Sequence, residues 1–189
     1  MIKAKWHLED QVKLRELVLY LCRKSEGDEK FGSIKLNKLL FFSDFGSYSA
    51  HQASITGSEY QNLINGPAPR QMKPLLDDMV KTGEIQMLDR AYYGRTQKRP
   101  YATREPNLAL FTSEEIAMVD AVIERLRPFN GTEVSELSHQ FSGWRLTKMG
   151  HSIPYASVRL DESPLSQTDK DYADALDIPG VEELLAPHA

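Results

Sequence analysis

Residues 33–70 read SIKLNKLLFFSDFGSYSAHQASITGSEYQNLINGPAPR, and their pattern decides how the rest of the chain must be arranged. At about 100° per residue, Ile34, Phe41, Phe45 and Tyr48 fall on one helix face, and Leu36 and Leu40 on another. Leu39 and Phe42 fall between them. A helix apolar on nearly every side has to be surrounded by other elements rather than laid on a surface. Three polar side chains interrupt it. Asn37 and Asp44, two turns apart, share a face between the apolar groups, and Lys38 lies between Phe45 and Phe42. A buried polar group costs free energy unless it is paired, so these three are expected to have fixed partners or to line a site. Asp44 in particular is expected to be charged and held by Tyr60, by Arg70 or by N–H groups near the turn NGPAPR.

Working outward, Ile55 and Tyr60 flank a Thr-Gly turn, and Asn65-Gly66-Pro67 marks a sharp one. Pro69 suits the first turn of the helix that follows. That third helix carries Met72, Leu75, Leu76, Met79 and Val80, with Pro74 making its start irregular and Gly83 ending it. Residues 8–24 form the first helix, with an apolar stripe of Leu14, Leu17, Val18 and Leu21 and with Asp10 near its start. Ser33 is the expected N-cap of the second. Residues 84–104 alternate loosely around Gly94 and predict a β-hairpin with a basic tip. A fourth helix starts after Thr112 or Ser113, with Glu114 and Glu115 in its first turn, and stops at Pro128. A short helix over 132–139 is capped by Thr132, residues 141–155 connect, and an acidic helix over 166–176 follows. The order helix, helix, short strand, helix, hairpin is that of a winged helix. The expected fold is α+β, mainly α: helices around a small antiparallel hairpin with a winged-helix-like core. Residues 1–160 form the domain, and 161–189 form an acidic C-terminal helix and tail packed on it.

Four pieces in this order, KLNKLLFFSDF, ITGSEY, NGPAPR and SHQFSGWRLTKMGHSIPYA, resemble the Panacea domain of SocA-like antitoxins. The resemblance runs over roughly 10–155. In the last piece Ser138, His139, Trp144, Ile153, Pro154 and Tyr155 fit the family's pattern. It implies an antitoxin, encoded beside a small toxin gene in bacterial or phage genomes, that binds and neutralises a cognate protein toxin. For some members it also implies delivery of the toxin to a protease.

Composition restricts the alternatives. Hydrophobic residues are 41% and charged residues 26% of 189, as in a soluble globular chain, and no apolar run is long enough to span a membrane. The start MIKAKWHLED lacks the apolar core of a secretory signal. The single cysteine, Cys22, continues the stripe of the first helix and fits a reducing cytoplasm. The five histidines are not paired at the spacing that puts two ligands on one helix face, and no second Cys exists, so no metal is expected. GxGxxG, GxxxxGK[ST] and GxSxG are absent, and no catalytic constellation or cofactor is expected. The charge is uneven. Residues 161–183 hold eight acids against Lys170, whereas 90–104 hold Arg90, Arg95, Lys98, Arg99 and Arg104 and no acid. Interleaved with Tyr92, Tyr93 and Tyr101, these cations suit a phosphate-contacting wing, a solvated hairpin or a surface for an acidic protein partner. The net charge of −4 disfavours nucleic acid. A DNA-binding regulator using the third helix and the 84–104 hairpin is the alternative function. Partner-binding candidates are Asn37, Lys38, Asp44, Tyr60, Arg70, Arg95, Arg99, Trp144 and Tyr155.

Overall fold

The structure, a computed structural model, describes residues 11–160. The acidic 166–176 helix, the 161–189 tail and Asp10 lie outside these residues. In chain order the helices are α1 (Val12–Lys24), α2 (Ser33–His51), α3 (Met72–Lys81), α4 (Ser113–Leu126), α5 (Gly131–His139) and α6 (Ser142–Leu146). The strands are β1 (Tyr60–Gln61), β2 (Ala68–Pro69), β3 (Ile85–Tyr92), β4 (Arg95–Ala102) and β5 (Ser152–Ile153). The α+β, mainly α class expected from the sequence is what forms.

The central position of α2 follows from its composition. It touches α1, α4, α5, β2, β4 and a 3₁₀ turn at Tyr155–Arg159. Leu36, Leu39, Leu40, Phe41 and Phe45 are all buried. Ile34 departs from the expected pattern, because it stands exposed at the helix start, where the covering elements thin out. Phe41 and Phe45 anchor an aromatic cluster with rings from three other segments. Tyr60 and Phe141 lie 5.4–5.7 Å from them, and Tyr155 lies 4.7 Å from Phe45. Such edge and tilted arrangements are the favoured ones for aromatic pairs.

Several local expectations are corrected. The N-cap of α2 is Gly32; the Ser33 hydroxyl donates to the Lys98 carbonyl, 3.1 Å away, and ties the helix to β4. Asn130, not Thr132, caps α5, in a reciprocal capping box with Glu133. Thr112 caps α4 in the same way with Glu115. Pro69 does not open a helix. It pairs with Tyr60 in β2, an edge strand, which is where a proline without an N–H can stand. Pro74 occupies the first turn of α3, where an N–H would have no partner in the helix anyway. Residues 141–155 are more than a connection: they hold α6 and β5, and β5 pairs with β1. Two short strands rather than one lie between α2 and α3; β1 joins β2 and β5 in its own sheet, and β3 pairs with β4 alone.

The hairpin turns on Tyr93 and Gly94, both at positive φ (45° and 74°), as a two-residue loop matched to strand twist requires. Its cations divide into two groups. Arg104 is bound to Glu16, at 2.6 and 2.9 Å, and to Glu84, at 2.8 Å, which joins the chain after β4 to α1 and the start of β3. Arg99, expected to be a surface contact, is corrected to a structural clamp. It is 1% exposed and its guanidinium donates to the carbonyls of Ser25, Glu26, Asp28 and Phe31. The rings of Phe31 and Tyr101 lie 5.6 and 5.0 Å from its Cζ. The loop between α1 and α2 folds around this side chain because its carbonyls have no helix or sheet to accept from. Arg99→Ala should therefore cost about 3–5 kcal/mol through stranded carbonyls and a lost clamp. Chemical denaturation checks this; a midpoint close to wild type would show that the loop closes without it.

Candidate functional site

The turn Leu63-Ile64-Asn65-Gly66-Pro67 is where one polar group of α2, Lys38, is used. Gly66 has φ +84°, and a Cβ there would overlap Ser138 Oγ and stand 3.0 Å from Lys38 Nζ, so only glycine fits. Lys38 Nζ donates to Pro67 O at 2.8 Å. From α5, Ser135 Oγ donates to Asn65 O at 3.0 Å, and Trp144 Nε1 reaches Leu63 O at 3.2 Å. The turn is thus fixed by three elements that are far apart in sequence. Lys38 is 1% exposed, and burial alone lowers its pKa to about 7. His139 stacks on Trp144 with ring centroids 4.0 Å apart, and burial, then the nearby Lys38 charge, lowers its pKa.

Asp44 organises the other end. It is 0% exposed and accepts from Thr56 N–H at 2.7 Å, Thr56 Oγ1 at 2.5 Å and Tyr60 Oη at 2.7 Å. Tyr60 is the donor expected from sequence. The other two bonds come from the ITGSEY loop rather than from NGPAPR. Burial raises the Asp44 pKa, and the Thr56 and Tyr60 hydrogen bonds oppose that shift. Arg70 does not reach Asp44. Its Nε pairs with Glu59 at 2.8 Å, and a second guanidinium nitrogen reaches Ser152 Oγ at 3.2 Å, so it braces β1 against β5. Tyr155 donates to Ser58 O at 2.7 Å and closes the same loop. Asn37 keeps a buried side-chain oxygen with no hydrogen-bond partner.

Sequence reasoning missed Thr56, Ser135 and Asn62. Asn62 Nδ2 donates to Trp144 O at 2.9 Å and Thr147 O at 2.6 Å, and its backbone bonds His151 O and Gly150 N. Each is an ordinary polar residue whose partner lies at least twelve positions away, so no spacing signal marks it.

The candidates separate by depth. Lys38, Asp44, Tyr60 and Arg99 are consumed inside the fold. Asn37 is half-buried, as are the braces Trp144, Tyr155 and Arg70. Arg95 alone of the nine is exposed, on a groove of about 890 Å³ between the hairpin tip and the starts of α2 and α5. A second surface feature flanks the Asn62 clamp: Ile64 (77% exposed), Leu146 (66%) and Met149 (58%) project from segments that Asn62 holds together. Among the described residues no group of three or more His, Cys, Asp or Glu side chains could hold a metal ion, and no helix is long and apolar enough to cross a membrane. Cys22 is buried, and desolvation pushes its thiol up to about 12.

A family model matches much of this chain. The model described as "Antitoxin SocA-like, Panacea domain" covers residues 36–145, and the chain belongs to that family. A comparison with curated proteins gives no match.

Two substitutions test the site. Asp44→Ala should destabilise by about 3 kcal/mol, because it strands the Tyr60 hydroxyl and the Thr56 N–H in a dry interior. Denaturant titration checks this, and an unchanged midpoint would show that Asp44 does not hold the corner. For Lys38 the folded pKa lies below the unfolded value, so the unfolded chain binds more protons between about pH 7 and 10.5. Stability attributable to Lys38 therefore rises with pH across that window, and the full penalty of burial, up to about 5 kcal/mol, falls below it. The stability difference between Lys38→Met and wild type, measured from pH 6 to 10, should favour the variant at low pH and shrink as pH rises. A difference independent of pH would show that the amine does not titrate there.

Proposed function

We propose that this chain is an antitoxin that binds a cognate protein toxin in the cytoplasm and neutralises it by stoichiometric occlusion, without bond chemistry. Membership of the SocA-like antitoxin family carries the reading. The site is consistent with it. Its ionisable groups are spent on holding the backbone, and Ile64, Leu146 and Met149 stand exposed on segments that Asn62 ties together. Exposed apolar side chains on a well-fixed frame suit a protein interface, because little ordering entropy is lost on binding. Trp144, half-buried and bonded to Leu63 O, helps to hold these segments together.

The DNA-binding alternative has less support than the sequence suggested. Of the five hairpin cations, Arg99 is buried, Arg104 is ion-paired with Glu16 and Glu84, and Arg90 lies over the Tyr101 ring. Too few remain for the several phosphate contacts that duplex affinity requires. Delivery of the toxin to a protease, the finer expectation from the resemblance, is separable from occlusion by the fate of the toxin.

The test is co-expression with the neighbouring open reading frame. Wild type should restore growth, with the toxin level unchanged if occlusion operates and lowered if a protease is recruited. Ile64→Asp with Leu146→Asp should abolish rescue while the thermal midpoint stays near wild type. Full rescue by the double variant would place the interface elsewhere, and no rescue by wild type would overturn the antitoxin reading.

A further inference from the structure

The groove beside Arg95 is not used by the site around α2. The groove of about 890 Å³ is walled by β3 and β4 near their turn and floored by the starts of α2 and α5. Lys30, Lys35, Arg95 and Lys98 line it, and no acid does. Lys35 is neutralised by Asp28 at 2.6 Å. Lys30 donates to the Pro128 carbonyl, and among the described residues Lys30, Arg95 and Lys98 have no carboxylate partner. Apolar surface sits among them: Ile34 is exposed at the floor, Tyr92 is half-buried on the wall, and Tyr93 at the tip is 92% exposed. A groove with three cations free of carboxylates and three apolar side chains matches an acidic polypeptide segment that also carries apolar residues. It is a poor match to a nucleic acid duplex, which needs more phosphate contacts.

This chain contains such a segment. Residues 161–183 hold Asp161, Glu162, Asp169, Asp171, Asp174, Asp177, Glu182 and Glu183 against Lys170, with Tyr172, Leu176 and Ile178 among them. Its reach is sufficient. The turn at Tyr155–Arg159 packs through Tyr155 on Phe45 and Tyr48, 15 positions along α2 from Ser33 at the groove. Fifteen helical residues span roughly 22 Å. Extended chain covers about 3.3 Å per residue, so roughly seven residues beyond Leu160 bridge that gap. The acids from Asp169 to Asp177 lie beyond that length of chain. Tethering raises the local concentration of the segment to the order of millimolar, so a weak site suffices.

We propose that the acidic segment 161–189 docks into the basic groove between the β3–β4 hairpin and the starts of α2 and α5 of the same chain. The segment covers Ile34 and Tyr93 and pairs its carboxylates with Lys30, Arg95 and Lys98. Docking is electrostatic and reversible. The inference concerns the unbound chain and does not depend on the antitoxin reading: growth rescue and docking succeed or fail separately.

The experiment uses the full chain with Tyr93 replaced by the photo-crosslinking residue p-benzoylphenylalanine, which keeps an aromatic ring at the exposed tip. After irradiation, peptide mapping should place the cross-links within 161–189 of the same molecule. Their yield should fall at least fivefold in Arg95→Glu/Lys98→Glu, and in Asp169→Asn/Asp171→Asn/Asp174→Asn/Asp177→Asn, with similar loss at high salt. Cross-links confined to 11–160 would overturn the proposal, as would tail cross-links indifferent to these charges. Cross-linked dimers would show that a second copy fills the groove. Nuclease-sensitive nucleic acid retained by the wild type, and lost in Arg95→Glu/Lys98→Glu, would show that phosphates do. Either result would overturn it. Hydrogen exchange on the chain with native Tyr93 gives an independent reading: amides of 33–35 and 92–96 should exchange several-fold faster in the four-Asn variant. Equal exchange would sink the inference.

Discussion

A carboxylate at zero exposure held by three neutral donors is the constraint that most of this fold obeys. Asp44 cannot be left in an apolar helix without hydrogen bonds, and α2 supplies none of them. The bonds must come from residues 56–60, and that obligation brings the ITGSEY loop back along α2. Once Tyr60 is committed to Asp44, β1 starts at a fixed place, and β2 and β5 pair with it in fixed register. The aromatic cluster follows, because Tyr60 presents its ring to Phe41 and Phe45 only from that position. Lys38 has the matching role nearer the start of α2, where an amine held against Pro67 O fixes the exit of the same segment. The helix thus carries two polar anchors, and the chain between them has little freedom left.

These anchors cost stability at neutral pH. The Lys38 amine is held by a single carbonyl, and the buried Asp44 carboxylate has no cation among its hydrogen-bond partners. A helix with leucine or methionine at these positions would be cheaper to bury. What the polar version supplies is uniqueness: a carboxylate with three directional donors accepts one loop geometry, whereas an apolar side chain accepts many. For a module of an antitoxin family, a corner that does not rearrange keeps the flanking surface in one shape.

The sequence made α2 legible because its signal is local. Apolar residues on every side can only mean burial, and a polar residue among them can only mean a partner, so Asn37, Lys38 and Asp44 were identifiable without knowing the fold. Two of the three have partners, and Asn37 keeps an orphaned oxygen that the structure does not explain. The hairpin was legible for the same reason, through its alternation and Gly94. What could not be read was which cations stay outside. Arg95 and Arg99 are four apart on one strand and alike in type, yet one is in solvent and the other collects four carbonyls of a loop nearly 70 residues earlier. That difference is set by long-range packing. Asn62, Thr56 and Ser135 were hidden in the same way, as were the short strands β2 and β5, whose two residues each carry no periodicity.

The split between anchored and free charge also separates what the fold holds constant from what it leaves open. Arg99, Arg104 and Arg70 each close a loop onto another element, so altering them alters the scaffold before any surface is reached. Lys30, Arg95 and Lys98 close no ion pair among the described residues, and the hairpin that bears two of them meets the core at its base rather than its tip. The Arg95 and Lys98 side chains make no hydrogen bond to the Asp44 or Lys38 anchors; the Ser33 bond that links this hairpin to α2 goes to the Lys98 backbone carbonyl. Changes in charge there can tune which segment occupies the groove while the Ile64 and Leu146 face keeps its geometry. The corner and the groove differ in where their polar groups stand: Asp44 and Lys38, which hold the first, are buried, whereas Arg95 and Lys98, which line the second, are exposed.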